Sequence, residues 1–169
     1  MALPLPHLIP LGIGMLAAVV YDLRSRRIPN IVSGFVLLSG LLTDGADGGV
    51  RMVLSGLASF VLLVVVIYPA WRSGGLGGGD LKLAAATGIW VGLPHLLWFI
   101  LGTAVAGGLV AGICYLVARA PARAEVRANL MLAGLRGELP AVASHRKGHP
   151  SVPYAFAIAA GAGVALLGI

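Results

Sequence analysis

The chain has 169 residues, of which 59% are hydrophobic and only 11% are charged, and its formal net charge is +6. Soluble domains carry about 25% charged residues, so this composition, with a mean hydropathy of +0.96, excludes an ordinary soluble globule. Charge-free stretches recur at the length that a helix needs to cross about 30 Å of hydrocarbon. The sequence therefore predicts an all-α, polytopic helical membrane protein that forms a single domain over residues 1–169.

Five charge-free stretches predict the membrane spans: 1–21, 28–43, 52–71, 83–118 and 151–169. The first lacks the basic region of a signal peptide and is interpreted as a retained helix. The second is short, so we expect it to gain length at its ends. The fourth is too long for one span, and Pro94 in "VGLPH" predicts a break there. Two short spans meeting near Pro94 bring the total to about six, and a re-entrant hairpin is the alternative.

Basic residues are distributed unevenly among the loops between these spans. Loops one, three and five hold eleven of the twelve Lys and Arg residues: Arg24, Arg26, Arg27, Arg72, Lys82, Arg119, Arg123, Arg127, Arg136, Arg146 and Lys147. Because cytoplasmic loops are enriched in Lys and Arg, these loops are predicted to be cytoplasmic and both termini to lie outside. The positive net charge is thus a sign of topology, and no nucleic-acid partner is expected.

The fifth loop, about 119–149, carries a helix signal of its own. Pro121 is a favoured first helical residue and Gly137 a favoured stop. Between them, Arg123 and Arg127 lie four residues apart, while apolar residues follow another stripe. We expect an amphipathic cytoplasmic helix lying on anionic lipids of the bilayer, with a solvated connector as the alternative.

Two aspartates fall at the same predicted membrane face. Asp22 closes the first span in "AAVVYDLRSRRIPN", and Asp80 opens the fourth in "GGGDLKLAAATGIW". Carboxylates near hydrocarbon are costly and indicate function, although each residue alone could simply end a helix. Asp44 and Asp47 lie instead in a Gly-rich external loop, where turn chemistry accounts for them.

A pair of carboxylates that share a site is the apparatus of an aspartic protease, because one holds a proton while the other draws a proton from water. The glycines before Asp80 would let a peptide approach the acid closely. Helix-end polarity suggests a division of roles. Asp80 at a helix N-terminus would be the base, and Asp22 at a helix C-terminus would be the initial proton donor.

These residues resemble the type IV prepilin peptidases, which are membrane aspartic proteases with a GxGD motif. The resemblance rests on "YDLRSRRIPN" at 21–30, "GGGDLK" at 77–82 and "PYAFAIAAG" at 153–161, in that order through nearly the whole chain. It implies that Asp22 and Asp80 are the catalytic pair. The matching motif positions are Gly77, Gly78, Gly79, Lys82, Pro29, Asn30, Pro153 and Tyr154.

The resemblance implies an aspartic endopeptidase of the bacterial inner membrane, active at its cytoplasmic face without a cofactor. Its partner would be a prepilin with a basic leader peptide, cleaved during type IV pilus biogenesis. The single cysteine, Cys114, leaves no place for the paired CxxC motifs of longer members. The chain therefore resembles the short, peptidase-only forms of tight-adherence (Flp) pilus systems, without methyltransferase activity. Archaeal preflagellin peptidases share the GxGD core and are an alternative.

Other function classes fit the residues less well. His145 and His149 have helical spacing but lack the glutamate of HExxH, so no metal site is expected. A serine protease is disfavoured because no GxSxG elbow occurs. The stronger alternative is a small proton-coupled transporter or channel that uses Asp22 and Asp80. Transporters, however, usually hold such carboxylates near the membrane midplane, whereas both residues are predicted at its boundary.

Overall fold

The protein is described by a computed structural model that covers residues 5–117, 123–124, 126–127, 131 and 154–167. A short 3-10 helix, Leu5–Leu8, precedes the α-helices. These are α1 (Ile9–Ser25), α2 (Asn30–Asp47), α3 (Gly49–Arg72), α4 (Gly78–Val117) and α5 (Tyr154–Leu167). The all-α prediction is confirmed for these residues. The predicted amphipathic helix after Pro121 falls outside the described residues, apart from isolated positions.

Helix α4 is broken at Gly92, where the backbone has φ 62° and ψ 173°. A positive φ of this size favours glycine, which has no Cβ to clash with the backbone. The next residue, Leu93, donates its N–H to the Oγ of Ser55 on α3 at 2.9 Å, so the new helix start is capped from a neighbouring helix. The break predicted near Pro94 is confirmed, two residues earlier in the chain.

The first half of α4 (78–91) runs parallel to α2. Near its start, Lys82 is hydrogen-bonded to Asn30, the first residue of α2. Near its end, the indole N–H of Trp90 donates to the carbonyl oxygen of Val36 at 2.8 Å. This half is buried without interruption from Leu83 to Val91. A helix that is buried on all sides is a central element, and the other helices surround it.

The second half of α4 (93–117) returns along the bundle and packs antiparallel against α5. A Cβ on Gly102 would lie 3.1 Å from the Cα of Gly161, and one on Gly107 would lie 3.6 Å from the Cβ of Ala157. Because α5 begins beside Asp22, the second half of α4 ends near the level at which the first half began. The two halves therefore form a helical hairpin that turns at Gly92.

The bundle thus has two ends, which we call the aspartate end, with Asp22 and Asp80, and the opposite end, with Gly48 and Gly92. In the described part of the chain, six helical segments alternate between them, so the start of α1 and the end of α5 lie together at the opposite end. Within the described part of the chain, α3 and α4 are long and apolar enough to span a membrane, and α2 and α5 are apolar but shorter. The count of six spans stays a prediction.

The outer faces of the helices carry large apolar side chains that no other described helix covers. Leu16 is 68% exposed on α1, Val65 62% on α3 and Leu109 64% on α4. Apolar surface on this scale indicates contact with a membrane or a partner rather than with water.

The prediction of an external loop around Asp44 and Asp47 is wrong. Helix α2 continues to Asp47 and α3 begins at Gly49, so Gly48 alone separates them. Asp44 is 4% exposed, and its Oδ2 lies 3.0 Å from the position that a Cβ on Gly56 would take. Turn chemistry therefore does not account for Asp44. The short second span instead gains its expected extra length at this end.

Candidate active site

Helix α1 directs Asp22 into the bundle. The buried face of α1 includes Leu11, Met15 and Ala18, and Asp22 extends that face because residues four apart share one side of a helix. The helix ends at Ser25 and is capped by Arg26, which has a left-handed backbone (φ 52°) and donates its N–H to the Asp22 carbonyl oxygen at 2.9 Å. Asp22 therefore lies in the last turn of α1 with a half-buried side chain.

The Asp22 carboxylate also meets the start of the last helix. Its Oδ2 accepts a hydrogen bond from the backbone N–H of Ala155, the second residue of α5, at 3.2 Å. Asp22 thus lies at the C-terminus of α1 and at the N-terminus of α5, two ends that carry opposite partial charges. Helix-end polarity consequently does not separate the roles of Asp22 and Asp80, contrary to the sequence argument.

Asp80 is the third residue of α4 and lies within electrostatic range of Asp22. Its carboxyl accepts a hydrogen bond from the backbone N–H of Gly77. Its Oδ1 is buried and has no hydrogen-bond partner among the described residues. A Cβ on Gly77 would lie 2.7 Å from Oδ2 of Asp80, so glycine at this position lets the carboxyl fold back over the loop. The structure therefore brings the two sequence-predicted carboxyls to one site.

Gly79 brings the first loop against the second. A Cβ on Gly79 would lie 3.1 Å from the Cβ of Ile28 and 3.3 Å from both its backbone N and O. Ile28 is itself only 8% exposed. The space left by Gly79 is therefore filled by the chain that follows Asp22, which differs from the expectation that the glycines leave room for a peptide. Gly77 and Gly78, in contrast, are exposed.

The other predicted motif residues tie the two loops together. Lys82 Nζ donates to Asn30 Oδ1 at 2.9 Å. Pro29 has an extended ψ of 141° and caps α2, and its carbonyl oxygen accepts the Val32 N–H at 3.0 Å. Tyr154 begins α5, and its ring lies 3.9 Å from the Cβ position of Gly107 on α4. Pro153 lies outside the described residues.

Sequence reasoning missed Ile28 and Ala155 as neighbours of the pair. Ile28 falls within the quoted "RRIPN" stretch, so its position next to Pro29 and two residues before Asn30 was a usable signal. Ala155 contributes only a backbone N–H, which any residue except proline supplies, so no side-chain pattern could have pointed to it.

The arrangement has the donors and acceptors for proton transfer at a bound substrate. Asp80 and Asp22 lie near enough for their carboxyls to interact electrostatically, and two carboxyls in one site can serve as proton donor and proton acceptor. Among the described residues, no group of three or more His, Cys, Asp or Glu side chains could hold a metal ion.

Comparison with known families identifies the family of the chain. The chain matches the family model of the type IV leader peptidase family over residues 9–112, a range that includes both aspartates and ends within the second half of α4. No curated protein and no solved structure matches the chain. Since the family match covers more than half of the 169 residues, the chain belongs to the type IV leader peptidase family of membrane-embedded proteases that act on prepilins.

Proposed function

We propose that the protein is an aspartic endopeptidase that removes the leader peptide from Flp-type prepilins, with Asp22 and Asp80 as its catalytic pair. The observation that carries the proposal is the meeting of these two carboxyls, one from α1 and one from α4, within electrostatic range at one end of the bundle. The family assignment supports a leader peptidase. The two carboxyls would supply the proton donor and the proton acceptor that hydrolysis of the peptide bond needs.

In the proposed reaction the ionised carboxyl takes a proton from a water molecule, whose oxygen attacks the carbonyl carbon of the scissile peptide bond. The protonated carboxyl gives its proton to the carbonyl oxygen, which yields a tetrahedral intermediate. When the C–N bond breaks, the carboxyl that took the proton from water gives it to the leaving nitrogen, and the hydroxyl of the intermediate returns its proton to the other carboxyl as the carbonyl re-forms. One proton is then left on the pair, as at the start. No cofactor or metal ion takes part in these steps.

The buried Oδ1 of Asp80, which has no partner among the described residues, supports this scheme. A buried acceptor without a partner is costly, and functional sites are where such costs are retained. The attacking water or the substrate carbonyl group would supply the missing partner. Asp22 has one oxygen engaged by Ala155, which leaves its Oδ1 for the reaction.

Charge distribution supports a cytoplasmic site. Arg24, Arg72 and Lys82 are exposed at the aspartate end, whereas Arg51 lies in the first turn of α3 at the opposite end. By the positive-inside rule, the aspartate end faces the cytoplasm, six segments cross the inner membrane and both termini lie outside. The basic loop residues would contact anionic lipid headgroups. A prepilin leader on the cytoplasmic side would then reach the pair directly.

The proposal of a Flp-type substrate follows from the resemblance to short, peptidase-only forms of the family. The one cysteine, Cys114, is half-buried within α4, and the sequence has no CxxC motif. The proposal therefore covers peptidase activity alone, and the mass of the cleaved product tests for N-methylation of the new pilin N-terminus.

The test is cleavage by purified protein in proteoliposomes. Candidate Flp-type prepilins and a prepilin from another type IV system are incubated with it, and the loss of the leader is measured by intact mass. We expect the Flp-type precursor to lose its leader at one peptide bond and to gain no methyl group. Absence of cleavage, or cleavage that persists in both Asp22→Asn and Asp80→Asn proteins, would refute the proposal.

A further inference from the structure

The last helix makes a polar contact with a residue of the catalytic pair. The Ala155 N–H belongs to the first turn of α5, and it reaches Oδ2 of Asp22 across 133 residues of sequence at 3.2 Å. The first four N–H groups of a helix have no partner within the helix. They are therefore free to bind an acceptor from elsewhere, and here the acceptor is the Asp22 carboxylate.

Small side chains make this approach possible. Ala155 is 0% exposed and so is Ala18, which lies one turn before Asp22 on the same face of α1. Residues of this size allow helix backbones to come close in membrane proteins. Packing thus fixes the start of α5 against α1 at the level of Asp22, and the N–H of Ala155 has a defined position relative to the carboxylate.

An aspartate side chain has two rotatable bonds, and its two oxygens are equivalent until something distinguishes them. The Ala155 N–H does so, because it engages Oδ2 only. A carboxylate held by one oxygen presents the other in a fixed direction. Orientation of this kind contributes to catalysis because a misplacement of about 1 Å costs on the order of 100-fold in rate.

We infer that the backbone N–H of Ala155 is a positioning group of the peptidase, which holds Oδ2 of Asp22 and leaves Oδ1 directed toward the reaction. The start of α5 is then part of the active site, although it contributes no catalytic side chain. This inference rests on the proposed function, in which Asp22 is a member of the catalytic pair.

The test removes that single N–H. Ala155→Pro deletes it, and proline is tolerated in the first turn of a helix. The matched control is Phe156→Ala, which alters a side chain of the same helical turn that is 53% exposed and leaves the Ala155 N–H in place. We expect Ala155→Pro to lower kcat about 10- to 100-fold with KM within about twofold, whereas the control keeps both near wild type. A purely structural contact would lower the melting temperature and leave kcat of the folded protein unchanged.

A second variant keeps the test decisive if the proline ring does not fit at this buried position. Replacing Ala155 by its α-hydroxy acid, lactic acid, converts the amide to an ester and removes the N–H without adding bulk. A kcat that stays at the wild-type value in this folded ester protein would overturn the inference. Asp22→Asn separates this inference from the proposed function: if that variant cleaves normally, Asp22 is not a member of the catalytic pair, whatever the ester shows.

Discussion

Lys82 Nζ lies 2.9 Å from Oδ1 of Asn30 and donates a hydrogen bond to it, across 52 residues of sequence. Lys82 follows Asp80 by two residues on α4. Asn30 is the first residue of α2, directly after the short loop that follows the last turn of α1, where Asp22 lies. The bond therefore connects the two segments that carry the proposed catalytic pair. With the contact between Ile28 and Gly79, it fixes the first loop against the start of α4.

The first prediction concerns this bond. Lys82→Met keeps the length of the side chain but removes the donor, and we expect cleavage to slow about three- to tenfold while the protein stays folded. A hydrogen bond with a charged donor contributes about 1.5–3 kcal/mol at most, and exposure to solvent reduces that value. Arg72→Met, which removes another exposed cation at the same end, is the control. A double-mutant cycle with Asn30→Ala measures the coupling between the two residues. If their losses in activation free energy simply add, so that the rate factors multiply, the two residues act independently.

The second prediction concerns the carboxyls. Asp22→Asn and Asp80→Asn should each abolish prepilin cleavage, because the amide can neither accept nor supply the transferred proton. Both proteins should fold, since in Asp22→Asn the oxygen of the new side-chain amide still accepts the Ala155 N–H. Thermal unfolding in detergent checks the fold, and intact mass of the prepilin checks cleavage.

Asp47→Asn is the suitable control for these variants, because Asp47 ends α2 at the opposite end of the bundle. Asp44 is unsuitable despite its similar place in the sequence, since it is buried and its substitution would disturb packing. Substantial cleavage by either catalytic variant would remove that residue from the pair.

Much of the fold could be predicted because few backbone structures can cross the hydrocarbon of a bilayer. A chain that crosses a bilayer must satisfy its backbone hydrogen bonds internally, so charge-free stretches predicted helices, and Pro94 predicted the break in the longest one. The buried position of Asp44 could not be predicted, because "TDGADGG" has the composition of a turn. Packing against Gly56 on α3 prevails over that local preference.

The candidate site, like the fold, could be predicted only in part. Asp22 and Asp80 were identified from their place at one predicted membrane face, and the structure brings them together. Their division of roles was not predictable from helix ends, because the N-terminus of α5 approaches Asp22 through a tertiary contact. For the same reason the role of Gly79 was misread: what fills the space beside it, Ile28, is close in space and distant in sequence.

The third prediction concerns Gly79. In Gly79→Ala the new methyl group would meet the backbone N and O of Ile28 at 3.3 Å, and backbone atoms yield less readily than side chains. We expect the first loop to be displaced from Asp80 and the rate of cleavage to fall at least tenfold. Gly75→Ala is the matched control, because its nearest contact, Ala70 O at 3.4 Å, is ordinary. Equal rates in the two variants would mean that the Gly79 contact does not position the pair.

The fourth prediction concerns stability at the opposite end. Ser55→Ala removes the Oγ that accepts the Leu93 N–H, which leaves the start of the second half of α4 without its cap. Loss of a helix cap costs about 1 kcal/mol, so we expect a lower melting temperature with little change in the kcat of the folded protein. The control is Ser39→Ala, since Ser39 Oγ donates only to carbonyl oxygens of its own helix. A Ser55 variant no less stable than the Ser39 variant would contradict the capping role.

The last prediction tests the orientation in the membrane. In a Cys114→Ser background, single cysteines are placed at Gly75, in the loop at the aspartate end, and at Ala46, in the last turn of α2 at the opposite end; both positions are exposed. If the aspartate end faces the cytoplasm, a membrane-impermeant maleimide added to spheroplasts should label Ala46→Cys at once and Gly75→Cys only after the membrane is permeabilised. The reason is that the basic residues beside the pair resist translocation. The reverse pattern would place the aspartate pair outside the cell, where a cytoplasmic prepilin leader could not reach it.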